Sequence, residues 1–175
     1  MTTNIGDYQV RKVYKAEEQW DNPLADKSVE WWDDNFPTTK EEQLVSPVSV
    51  KNVLHFYCLL EIEDCRNLID SISYYADIIP PKMWLNHTDS KGNAPLVATG
   101  SSHRITLPKW AMTPATICHE MAHVITQQKC MFDAHGPIFC GVFVELVYQF
   151  IGSQEGRDLQ WAFEVNSVDV EYNII

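Results

Sequence analysis

The sequence predicts an α+β fold in which a small three-stranded sheet, antiparallel or mixed, packs on one amphipathic helix, with further helices before and after it. Three observations carry this expectation. Apolar residues recur at helical spacing in several long segments, the stretch between Pro80 and Pro108 breaks into short runs divided by turn residues, and Thr113-Pro114 has the chemistry of a helix start. At 175 residues the chain is expected to form one domain spanning 1–175, with enough burial for a core of its own.

In chain order, Asp7 to Trp20 reads as a short amphipathic helix on Val10, Val13 and Tyr14, ended by Asn22-Pro23. Its expected role is packing. The charges Arg11, Lys12, Lys15, Glu17 and Glu18 read as a solvated helix face. Residues 21–47 contain Pro23, Pro37 and Pro47 with the aromatic cluster Trp31, Trp32 and Phe36, and read as an irregular insertion. Between Ser49 and Asp77 the apolar spacing predicts one or two helices, with His55 as a core histidine. Three antiparallel strands are expected over Met83 to His87, Leu96 to Thr99 and Arg104 to Leu107, with Gly100-Ser-Ser as a separating turn. Thr113 then caps a helix whose first residue, Pro114, loses no hydrogen bond there. Gly136-Pro137 opens another, with Val142, Phe143, Leu146 and Phe150 repeating at helical spacing up to Gly152. Residues 153–175 follow as an acidic C-terminal extension.

Composition narrows the function classes. Apolar residues at 45% and charged residues at 21% are the balance of a soluble globular chain. With 13 basic against 24 acidic residues, the formal charge of −11 disfavours long-range attraction to nucleic acid or anionic membranes. Met1 to Tyr8 has neither a basic start nor an apolar run, and no segment approaches the roughly 20 apolar residues of a membrane span, so a cytoplasmic protein is expected. Five scattered cysteines without a Cys-x-x-Cys pair suggest reduced thiols, neither a disulfide framework nor a zinc ribbon.

The chemistry is concentrated in His119-Glu120-Met121-Ala122-His123. Residues four apart on a helix share a face, so both imidazoles can reach one metal ion, and Glu120, turned about 100° away, can reach a water on that ion. Ile117, Met121, Val124 and Ile125 supply an apolar back, while Cys118 should face the core. Two histidines do not complete a catalytic zinc site, so a third ligand is sought. His135, at the entrance of the next helix, is the candidate. One zinc ion on His119, His123 and His135 would leave a position for water, whose proton Glu120 would take as general base.

His119 to His123 followed by His135-Gly-Pro-Ile-Phe139-Cys resembles the active site of SprT-like (Spartan-type) zinc metalloproteases. Ile105-Thr-Leu-Pro-Lys-Trp110 and Val10-Arg-Lys-Val-Tyr-Lys-Ala-Glu-Glu18 are more similar to a family of small metallohydrolases of bacteria and bacteriophages, over about Tyr8 to Gly152. The resemblance implies a zincin fold, a zinc-dependent peptidase activity on a protein or peptide substrate, and a substrate-aligning edge strand over Ala94 to Gly100, including Leu96, Val97 and Ala98. The chain lacks the zinc ribbon or basic DNA-binding segment common in the SprT-like enzymes that act on DNA-bound proteins.

Three further residues are secondary candidates: Asp133 as a carboxylate behind His135, His103 as a transition-state donor, and Glu145 as a carboxylate bonded near the site. Two rival functions stay open. One is a zinc hydrolase of another amide or ester; the other is a non-enzymatic binding protein, stapled by zinc, that uses Trp31, Trp32 and Phe36 as its contact surface.

Overall fold

A computed structural model of the chain describes residues 9–21, 58–85, 98–129, 134–172 and 175. His55, Trp31, Trp32, Phe36, Leu96, Val97, Cys130 and Asp133 lie outside the described residues. Among those described are five α-helices and one three-stranded mixed sheet: α1 Val10–Asp21, α2 Ile62–Tyr75, β1 Lys82–Leu85, β2 Thr99–Ser101, β3 Arg104–Leu107, α3 Pro114–Gln128, α4 Pro137–Phe150 and α5 Ser153–Val165.

Helix α3 begins as its sequence dictates. The Thr113 hydroxyl accepts from the backbone N–H of Thr116 at 3.2 Å, and Pro114 follows in the first turn. Ile117, Cys118, Met121, Val124 and Ile125 are all fully buried, so the predicted apolar back is the centre of the core. Helix α4 covers one side of it, starting after Gly136 and burying Phe139, Val142, Phe143 and Leu146. The segment read as an extension forms α5, whose Leu159, Ala162 and Phe163 join that same core. Helix α1 lies on α5: Val13 and Ala16 are fully buried, and Trp20 donates its indole N–H to the Glu155 carbonyl at 3.0 Å. Trp20 also packs edge-on against Phe143, with ring centroids 5.7 Å apart.

The sheet is mixed, one of the two arrangements expected, although its three runs read singly as antiparallel strands. Its order is β1-β3-β2, with β1 parallel to β3 in the register Met83↔Ile105 and Leu85↔Leu107, and β2 antiparallel to β3 with Gly100↔Ile105. Consecutive runs β1 and β2 are not neighbours, since both pair with β3, an order that alternation of apolar residues does not encode. Strand β2 also lies later than expected, over Thr99–Ser101, and the turn is Ser102-His103. Gly100 is thus a strand residue. A Cβ there would collide with the backbone carbonyl of Glu120, so glycine marks the close approach of strand to helix rather than a turn.

The last turn of α3 fastens the sheet. Gln128 donates to the carbonyls of Ile79 at 2.7 Å and Ser102 at 2.6 Å, and Gln127 accepts from the Ser102 N–H at 3.0 Å. No helix among the described residues is long and apolar enough to cross a membrane.

Candidate metal centre

His119 and His123 project from one face of α3, and His135 enters from the turn before α4. Ala134, just before His135, has φ of 29°, so the chain bends through the left-handed region as it delivers the third imidazole. One ligand nitrogen from each histidine lies within 4.8 Å of the others, close enough to bind one metal ion.

The spacing is more specific than proximity. His119 Nε2 and His135 Nε2 are 3.4 Å apart. Two nitrogens each about 2.0–2.1 Å from one ion at a tetrahedral angle stand about 3.3–3.4 Å apart. A direct hydrogen bond would bring them closer. His119 Nδ1 is 2.5 Å from Glu17 Oε1, so with the ring proton shared on that side, Nε2 presents its lone pair toward His135. The His119–His135 pair therefore has the spacing of two ligands on one tetrahedral ion, and the three imidazoles are a donor set that a divalent transition metal accepts.

Phe139 is the floor of the cluster. Its ring stacks on His123 at a centroid distance of 4.4 Å and meets His135 and His119 edge-on at 4.8 and 5.1 Å. This fully buried aromatic holds all three rings against a dry surface. Burial, reinforced by His119 and His135, pushes the His123 imidazole down to about 2, so it is neutral and free to donate its lone pair.

Glu120 is only 5% exposed. Burial raises its carboxyl above the ordinary carboxylate range and Glu17 adds to the rise; His119 and the backbone N–H of Gly100, which bonds the carboxylate, oppose it. Tyr14 stands at the open side, its ring 4.9 Å from His135. Its phenol is raised by burial and by the charges of Glu17 and Glu120. The phenol therefore stays a neutral donor at the mouth of the cluster.

No family model, curated protein or solved structure matches the chain.

The secondary candidates fall in different places. Glu145, expected near the cluster, accepts a hydrogen bond from the Tyr75 hydroxyl at 3.0 Å, and Tyr75 packs on Phe150. It sits six residues, or about 9 Å of helix, beyond Phe139 and ties α4 to α2. His103 is exposed in the β2–β3 turn, its carbonyl accepting from Lys82 N–H at 2.9 Å, beside the last turn of α3. Ala98 precedes β2 at the outer side of the described sheet, partly buried.

Sequence reasoning missed the site roles of Glu17, Tyr14 and Phe139 and the close approach of Gly100 to Glu120. Glu17 had one usable signal: it lies four residues from Val13, hence on the buried stripe of α1, whereas Glu18 points to solvent. A carboxylate on an apolar stripe asks for a partner.

Proposed function

We propose that this chain is a zinc-dependent hydrolase, most specifically a metallopeptidase of zincin type acting on a protein or peptide substrate. The observation that carries the reading is the convergence of three imidazoles, two of them at the nitrogen–nitrogen spacing of ligands to one tetrahedral ion, beside a buried carboxylate that is not one of the three. His119, His123 and His135 would hold the ion, and its bound form supplies Lewis acidity that acidifies a water and polarises a carbonyl. Glu120 provides what the imidazoles cannot, an anionic proton acceptor. Buried beside the imidazoles, it is placed to take a proton from such a water and, once protonated, to pass it to a leaving amine. The Gly100 N–H fixes the carboxylate, and Phe139 keeps water from the rear of the rings. The resemblance of His119 to His123 and His135 to Cys140 to SprT-like enzymes points to peptide bonds as the substrate class.

The test is Glu120→Gln, which keeps size and hydrogen bonding but cannot take a proton. Peptidase turnover falls by about 10²–10⁴-fold while zinc content and melting temperature hold. Unchanged turnover would remove Glu120 as the base, and a zinc-loaded wild type inactive on peptide, amide and ester panels would favour the binding-protein reading.

A further inference from the structure

Helix α1 contributes none of the three imidazoles, yet it and the residue just before it reach behind two of them. Glu17 Oε1 meets His119 Nδ1 at 2.5 Å across 102 residues of sequence, with both side chains mostly buried at 13% and 15% exposure. Eight residues earlier, fully buried Gln9 donates from Nε2 to the His135 carbonyl at 3.0 Å and to the Asp169 carbonyl at 3.1 Å, and accepts from the Asp169 N–H at 2.9 Å. Anchors remote from the cluster hold α1 in place: Val13, Ala16 and Trp20 in the core, and Lys12 Nζ on the Ser167 carbonyl at 2.9 Å.

We infer that Glu17 is a positioning residue of the metal centre, fixing His119 in the tautomer and ring orientation that directs Nε2 at the ion, with Gln9, the residue just before the same helix, bracing the backbone of His135. An imidazole bound through Nε2 must carry its proton on Nδ1. A carboxylate accepting that proton selects the tautomer, stops ring rotation and raises the basicity of the ligating nitrogen. Without it, His119 must lose a second tautomer and its rotational freedom each time it binds. Because α1 has its own anchors, the ligand effect of Glu17 is separable from the docking of the helix. The inference rests on the metal-centre reading above and extends it to an element that donates no ligand.

The test is zinc affinity of the full chain, measured by competition with a chromophoric chelator, for wild type, Glu17→Ala, Glu17→Gln and Glu18→Ala. Metal-free melting temperatures are recorded beside each. Glu18→Ala removes the same charge from the exposed neighbouring position and controls for simple electrostatic attraction. Glu17→Ala is expected to weaken zinc binding about 10–100-fold, Glu17→Gln to recover part of that through its carbonyl oxygen, and Glu18→Ala to match wild type, with metal-free melting temperatures close together. Equal affinity of wild type and Glu17→Ala would overturn the inference, as would equal losses in the two alanine variants. If Glu17→Ala does not fold, Glu17→Gln decides: weaker zinc binding upholds the role, and wild-type affinity assigns Glu17 to folding alone. A wild type that binds no zinc sinks the metal-centre reading itself, an outcome distinct from all of these.

Discussion

Glu120 and His123 are opposite consequences of one environment. Both are adjacent to the apolar back of α3, and burial disfavours the charged form of each, raising the carboxyl and lowering the imidazole. The imidazole gives a stability prediction for the metal-free protein. Its folded value, about 2, is below its ordinary value of 6.5, so the unfolded chain takes up the proton first. The contribution of His123 is therefore fully present above about pH 6.5 and is lost as pH falls toward the folded value. At pH 5, 1.5 units below the ordinary value, the loss amounts to about 2 kcal/mol. Urea melts with chelator present should show this decline between pH 7 and 5, and His123→Asn should flatten it. An equal slope in the variant would show that His123 is not held neutral by the fold. At this scale the three clustered histidines were legible, because His-Glu-x-x-His and a histidine before Gly-Pro are local patterns. Glu17 was not, since its partner lies 102 residues away and its neighbour Glu18 has the same side chain.

Helices were legible where capping and periodicity agreed. Thr113-Pro114 and Gly136-Pro137 start α3 and α4, and the apolar repeat of each gives its buried face. The sheet was less so, because its strands are three or four residues long and one pairs in parallel with the middle strand. Gly100 shows why its reading as a turn failed: glycine in a turn and glycine at a strand–helix contact look alike in sequence. The contact makes a sharp prediction. A Cβ at position 100 meets the Glu120 backbone carbonyl, which cannot rotate away, and lies 3.1 Å from Oε2. Gly100→Ala should destabilise by about 1–3 kcal/mol, as overpacking of a tight interface does, and should displace the carboxylate. Chemical denaturation would register the first effect and turnover at saturating substrate the second. Wild-type stability in Gly100→Ala would mean that β2 does not press on α3 as described.

At the scale of the molecule, one core runs from α1 through α3 and α4 to α5, and the three histidines sit where those elements meet. The proposed metal binding would therefore be linked to the stability of the whole core. Zinc at about 100 times its dissociation constant stabilises the folded state by about 2.7 kcal/mol, which for a chain of this size raises the melting temperature by about 5–10 °C. The rise should be absent in His135→Ala. The balance of 13 basic to 24 acidic residues was legible from composition; the packing of residues 153–165 into the core was not, because their acidic content masks a buried stripe of Leu159, Ala162 and Phe163. The most direct test of the central claim is the metal content of purified protein after dialysis, compared with His119→Ala and His135→Ala. The account predicts close to one zinc per chain in the wild type and loss of it in both variants. Full metal content in His135→Ala, or none in the folded wild type, would contradict it.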